Sequence, residues 1–137
     1  MTSRFLDTNV LLYSITGNPV DTAKRDRAIA VTQQTDNALS VQVLQEFYVQ
    51  ATRPTRRDAI SHDAAVELIR AWLRFPVQDI TVAVMSEALR IKMRHQLSYW
   101  DAAIVAAARA LGCHEIYSED LSHGRDIEGT VIVNPFL

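Results

Sequence analysis

At 137 residues with a formal net charge of −2, the chain suits one ordinary domain and leaves little room for a second. Its composition, 48% hydrophobic and 22% charged, excludes disorder and fibrous repeats, and the single cysteine, Cys113, excludes an internal disulfide framework. The longest fully apolar stretch, Ala102 to Ala108, is too short to span a bilayer and the N-terminal residues lack a signal-peptide core, so a cytoplasmic location and no membrane partner are expected.

Short apolar strands alternate with helical periods along the chain. This pattern predicts an α/β fold: a single-domain three-layer sandwich over residues 1–137, with a mostly parallel five-stranded sheet flanked by helices. The first strand is Arg4 to Asp7, and Thr8 or Asn9 can cap the short apolar helix Val10 to Ser14. Asn18-Pro19 opens a second helix reaching about Gln33. A strand at Asn37 to Ser40 follows, and Ser40 can cap a helix from Val41 to about Thr52. Ser61 starts a helix running to Arg74, with Ala65, Leu68, Ile69 and Trp72 as its buried stripe. Pro76 to Ile80 is the third strand, and Thr81 caps a helix to about His95 whose expected core stripe is Val82, Met85, Leu89 and Met93. A further helix begins near Ser98 and is closed by Gly112, in the position of a left-handed cap. The fourth strand, Glu115 to Ser118, and the fifth, Val131 to Val133, bracket a polar loop from Glu119 to Thr130. Trp72, Phe75 and Trp100 are all expected in the core.

Four of the 16 carboxylates stand where solvation alone is a poor explanation. Asp7 closes a strand bounded by apolar residues on both sides, and in open α/β sheets ligands bind outside the carboxyl ends of the strands. Helix capping would also account for it. Asp101 heads the stripe Asp101, Ile104, Val105, Ala108, where an uncompensated charge is unfavourable, although Ser98 to Asp101 also reads as a variant capping box. Asp120 follows the fourth strand, with Glu119 beside it and Asp126 in the same loop. Glu46 borders the apolar face of its helix, and periodicity alone marks it as a solvated glutamate.

Convergence of these four would have an energetic consequence. With gaps of ~5 Å and an effective dielectric of ~20, each pair repels by roughly 3 kcal/mol, and the six pairs together by about 20 kcal/mol. That exceeds the stability of a typical domain, so such a site demands protonation or a divalent cation. Hard oxygen donors without thiolates or a histidine cluster favour Mg²⁺ or Mn²⁺ over zinc. His62, His95, His114 and His123 lack a metal-binding helical spacing and are expected outside the ligand set.

The segments Phe5-Leu6-Asp7-Thr8-Asn9-Val10-Leu11, Gln45-Glu46-Phe47, Ser98-Tyr99-Trp100-Asp101-Ala102-Ala103-Ile104 and Tyr117-Ser118-Glu119-Asp120-Leu121 resemble, in order and spacing, the PIN-domain nucleases, and most closely the VapC-type toxins of toxin–antitoxin pairs. The likeness extends to the final Ile132-Val133-Asn134-Pro135-Phe136. It implies a PIN-like fold and a metal-dependent endoribonuclease that cuts structured RNA. Its catalytic acids would be Asp7, Glu46, Asp101 and Asp120, with Asp7 and Asp101 as the metal ligands and Asn9 and Ser118 as polar supports. A homodimer and a VapB-type antitoxin are further implications, the antitoxin tail placing a basic side chain among the acids. Thr8 and Ser118 are read as hydrogen-bonding supports, because no histidine is fixed beside them to make either a nucleophile.

An acidic pocket repels RNA, so phosphates need local cations, and Arg53, Arg56 and Arg57, with Arg94, are the candidates by clustering. Two competing readings stay open: a PIN-like module that binds metal or a partner with little turnover, and a PIN nuclease of RNA maturation without an antitoxin. A dehalogenase-type phosphatase would require a second acid where Asn9 stands, and a receiver domain a lysine after a late strand, which neither Lys24 nor Lys92 supplies.

Overall fold

The computed structural model describes residues 4–137. Met1–Ser3, part of the segment read above for a signal core, lie outside the described residues. In chain order the elements are β1 (Arg4–Leu6), α1 (Thr8–Tyr13), a 3₁₀ turn (Pro19–Asp21), α2 (Thr22–Thr32), β2 (Asn37–Ser40), α3 (Val41–Ala51), α4 (His62–Trp72), β3 (Val77–Gln78), α5 (Val82–His95), α6 (Tyr99–Ala110), β4 (Glu115–Tyr117), β5 (Asp126–Ile127) and β6 (Thr130–Val133). The sheet order is β3-β2-β1-β4-β6-β5, parallel except for the β5–β6 pair. No helix among the described residues is long and apolar enough to cross a membrane.

The path of the chain through the sheet positions the site. From β1 it moves through β2 to β3, then returns across the sheet to β4 beside β1. Right-handed crossovers put α1 to α4 on one face and α5 with α6 on the other. The packing agrees, with α1 against α2 and α3 on one side, and α6 against α5, β2, β3, β4 and β6 on the other. Strand order reverses between β1 and β4, the place where a doubly wound sheet opens a crevice at its carboxyl edge. The next residues along the two strands are Asp7 and Ser118.

Helix α6 is buried on nearly all sides from Ala102 to Ala108, which explains its run of small residues: alanine lets both the sheet and α5 approach its axis. Gly112 follows it at φ 74°, the left-handed conformation expected there.

Several sequence expectations are corrected. The sheet has six strands rather than five, because Asp126–Ile127 pairs back on β6 through Glu128 and Gly129. Both turn residues have positive φ, 54° and 96°, the geometry of a two-residue hairpin, and two residues of strand are too few to show a period. Asp7 itself, not Thr8 or Asn9, caps α1. The expected second helix is split, with Asn18 capping the 3₁₀ turn and α2 starting at Thr22. On α5 the stripe Val82, Met85, Leu89, Met93 is exposed and the core face is Val84, Ala88, Ile91. The sequence carries two apolar stripes there, and the alanine-rich α6 accepts the smaller one. Trp72 and Phe75 are buried as expected, but Trp100 is 65% exposed because it sits in the first turn of α6, at the rim of the crevice.

Candidate active site

Asp7 is held from three directions. Its Oδ1 accepts the Thr8 amide at 2.8 Å, capping α1, and its Oδ2 accepts the Ser118 hydroxyl at 2.8 Å and the Asn9 amide at 3.4 Å. The parallel ladder brings these partners together: Leu6 is in register with Tyr117, and the Asp7 amide donates to the Tyr117 carbonyl. Burial pushes the Asp7 carboxyl up to about 6, opposed by the Ser118 and Thr8 hydrogen bonds and reinforced by the charges of Asp120 and Glu46.

Ser118 is fully buried and organises the other strand end. Its Oγ accepts the amides of Asp120 and Leu121 at 3.1 and 3.2 Å, turning the chain so that Asp120 faces the crevice. Asn9 links the two sides, since its Nδ2 donates to Asp120 Oδ2 at 3.2 Å and its Oδ1 accepts the Glu119 amide at 3.1 Å. Glu119 turns the other way. Tyr13 and Lys24 hold its carboxylate at 2.6 and 2.5 Å, and the Lys24 and Tyr13 hydrogen bonds lower its pKa despite partial burial. Of the two adjacent acids, Asp120 is the one that lines the crevice, while Asp126 accepts the Gly129 amide in the hairpin turn.

Glu46 comes from α3, whose cap is Ser40 at the end of β2. Its Oε2 accepts the Thr8 hydroxyl at 2.8 Å and its Oε1 the Gln42 amide at 3.0 Å. Asp101 comes from the first turn of α6. Its backbone amide donates to the Ser98 cap, while its carboxylate takes no hydrogen bond among the described residues. The reciprocal half of the capping box is therefore absent, and the carboxylate remains free toward the crevice.

Asp7, Glu46, Asp101 and Asp120 thus line one cleft of about 180 Å³, with Asn9 on its wall. Among the described residues lining it, none is Lys or Arg. Hard oxygen donors in a partly desolvated pocket whose described lining brings no cation of its own fit a divalent metal. The carboxylates share the cleft wall rather than a single point: among the described residues no three Asp, Glu, His or Cys side chains form a ready-made ligand cluster.

The basic candidates lie outside this cleft. Arg56 lines an adjoining hollow with Asn9, Asp120 and Glu119, its guanidinium 2.9 Å from Asp58. Arg57 lines the next hollow along with Arg56, and Arg53 and Arg94 are exposed and line neither. The histidines are elsewhere: His62 meets Tyr48, His95 meets Glu128, His123 accepts the Asn134 amide, and His114 is exposed. Two contacts around the site are not expected from the sequence, Gln42 with Glu46 and Lys24 with Glu119. Gln42 had a signal, the i to i+4 spacing to Glu46, whereas nothing local couples Lys24 to Glu119, 95 residues away.

Among solved structures, the fold is similar to a toxin–antitoxin complex from Klebsiella pneumoniae at 20% identity, covering 97% of this chain and 98% of that one with a TM-score of 0.71. It is also similar to VapC20 of Mycobacterium tuberculosis, a toxin that cleaves the sarcin-ricin loop, at 23% identity, 86% and 90% coverage and a TM-score of 0.65. A third likeness is to DNA-bound VapBC from Salmonella typhimurium, at 20% identity, 96% and 97% coverage and a TM-score of 0.64. No curated protein gives a significant sequence match. The family model for the PIN domain matches residues 4–125, a span that carries all four cleft carboxylates. With a doubly wound sheet, an acidic crevice at its switch point and that match over most of its length, the chain belongs to the PIN-domain family.

Proposed function

We propose that this PIN-domain protein is a VapC-type toxin: a Mg²⁺- or Mn²⁺-dependent endoribonuclease that hydrolyses phosphodiester bonds in structured RNA. It would act in the cytoplasm as a homodimer, silenced by a VapB-type antitoxin. The observation that carries the reading is the cleft at the β1–β4 switch point, where Asp7, Glu46, Asp101 and Asp120 face one space. The similar proteins named above support the partner and the substrate, since two are toxin–antitoxin complexes and one cleaves an RNA loop.

Asp7 and Asp101 would hold the metal directly, with Glu46 and Asp120 flanking it. The cation, when bound, lowers the pKa of water and offsets charge gathering on the phosphate oxygens. The chain's own residues do the rest. Ser118 and Asn9 keep Asp7 and Asp120 turned into the cleft, Thr8 does so for Glu46, and the carboxylate lone pairs orient the attacking water and receive its proton. No side-chain nucleophile is required. Arg56 and Arg57, along the hollows that continue the cleft, attract the flanking phosphates, with Arg53 near the same loop. The exposed stripe Val82, Met85, Leu89, Met93 offers a second copy an apolar surface about 16 Å long.

The test is cleavage of structured cellular RNA by purified protein with Mn²⁺ or Mg²⁺, with chelator, and with Asp101→Asn. Cutting only in the metal-supplied wild type is expected. Cutting that persists in chelator or in the variant would overturn the mechanism.

A further inference from the structure

Gln42 touches both of the elements that deliver carboxylates from opposite sides of the cleft. It lies in the first turn of α3, and its Nε2 donates to Glu46 Oε1 at 3.0 Å. The same nitrogen is 3.4 Å from the carbonyl of Trp100, the residue before Asp101 at the start of α6. An i to i+4 pair on an isolated helix would be an ordinary surface contact. Here the amide has two hydrogens, one available to α3's own carboxylate and one to the backbone that carries Asp101, on the opposite face of the sheet.

The electrostatics explain why such a tie matters. Glu46 adds to the negative field at Asp7, and like charges repel, so a Glu46 side chain free to rotate would move away from Asp7. Two donors oppose that swing, Thr8 Oγ1 on Oε2 and Gln42 Nε2 on Oε1, leaving each oxygen with one protein partner and lone pairs to spare. Thr8 is anchored at the β1 end, so Gln42 is the contact that relates Glu46 to α6.

We propose that Gln42 is a positioning residue: it holds Glu46 in the cleft and fixes its spacing from Asp101, so that the acids are arranged for a divalent cation before one arrives. This deepens the nuclease reading and rests on it. Preorganisation of this kind acts through affinity for the metal, because Glu46 adds its negative charge beside the ligands and the groups around a ligand set tune its affinity.

The test uses Gln42→Met, which keeps length and bulk but removes both donors. Mn²⁺ alone is titrated into the metal-free full chain and the free ion is followed by electron paramagnetic resonance, with a thermal melt to confirm folding. Mn²⁺ binding should weaken about 10-fold. Cleavage should require correspondingly more Mn²⁺ while the KM for RNA at saturating metal stays unchanged. In a Glu46→Gln background the same substitution should add nothing, since the residue acts through Glu46. Wild-type affinity in Gln42→Met would overturn the proposal, as would an equal loss in both backgrounds or a rise in KM with unchanged Mn²⁺ binding. A wild type that binds no Mn²⁺ and cuts no RNA would instead overturn the nuclease reading on which it rests.

Discussion

Replacing Asp7 by asparagine should change the stability of the metal-free protein by an amount that depends on pH in a specific way. Asp7 is 8% exposed, and burial raises its carboxyl from 3.8 to about 6. That rise of about two pH units, at ~1.4 kcal/mol each, means that carrying the charge in the folded state opposes folding by about 3 kcal/mol once ionisation is complete. Below pH 3.8 the group is protonated in both states and contributes nothing. Between 3.8 and about 6 the unfolded chain ionises first, so stability falls as pH rises, and above about 6 the full cost is present. Asparagine keeps an oxygen for the Thr8 amide and drops the charge, but its amide nitrogen cannot accept the Ser118 hydroxyl and the Asn9 amide that Oδ2 holds, a loss of about 1–3 kcal/mol that is the same at every pH. In chelator the variant should therefore gain up to about 3 kcal/mol on the wild type between pH 4 and pH 7.5, or on the order of 10 °C in Tm for a chain of this size. Most of that gain should fall away below pH 6, leaving near pH 4 only the constant offset of the lost hydrogen bonds. Asp58, Glu87, Glu119 and Glu128 are shifted down and titrate with the opposite sign, so the informative quantity is the difference between variant and wild type in urea denaturation. A difference between variant and wild type that ignores pH, or that moves against the variant as pH rises, would refute the reasoning.

Other consequences can be measured directly. Asn9→Ala removes the amide that joins Asp7, Ser118 and Asp120 and leaves the Glu119 amide without its acceptor, so metal affinity should drop ~10-fold or more, read by Mn²⁺ titration. Arg56→Ala with Arg57→Ala should flatten the dependence of RNA binding on log salt by about two phosphate contacts, and an unchanged slope would remove both residues from the RNA path. Leu89→Glu puts a charge in the middle of the exposed α5 stripe and should convert a dimer to monomers in sedimentation while circular dichroism shows the monomer still folded, because the residue is half exposed in the single chain.

The sequence carried the fold well wherever pattern and packing agree. The first, second and fourth strands, the Ser40, Ser61, Thr81 and Ser98 caps and the Gly112 terminus all follow from local chemistry that the folded chain keeps. It misled on α5, where the larger apolar stripe faces outward: hydrophobicity measures an affinity for burial without naming the surface that supplies it. The β5–β6 hairpin was illegible for a different reason, its shortness. At the site, Asp7 was legible because an acid ending an apolar strand is exceptional, and Glu46 because of the family likeness rather than its own periodicity. The fate of Glu119 could not be read locally, since Lys24 and Tyr13, which turn it aside, arrive from distant parts of the chain.

Uptake of a divalent cation by the cleft through Asp7 and Asp101 is the property on which the proposed nuclease activity depends. Isothermal calorimetry of Mn²⁺ into the chelator-stripped protein at pH 7.5 should give saturable uptake in the wild type, at least ~10-fold weaker uptake in Asp101→Asn, and the same in Asp7→Asn despite its relief of buried charge. Heats that do not saturate in the wild type, or affinities equal across the three proteins, would contradict it.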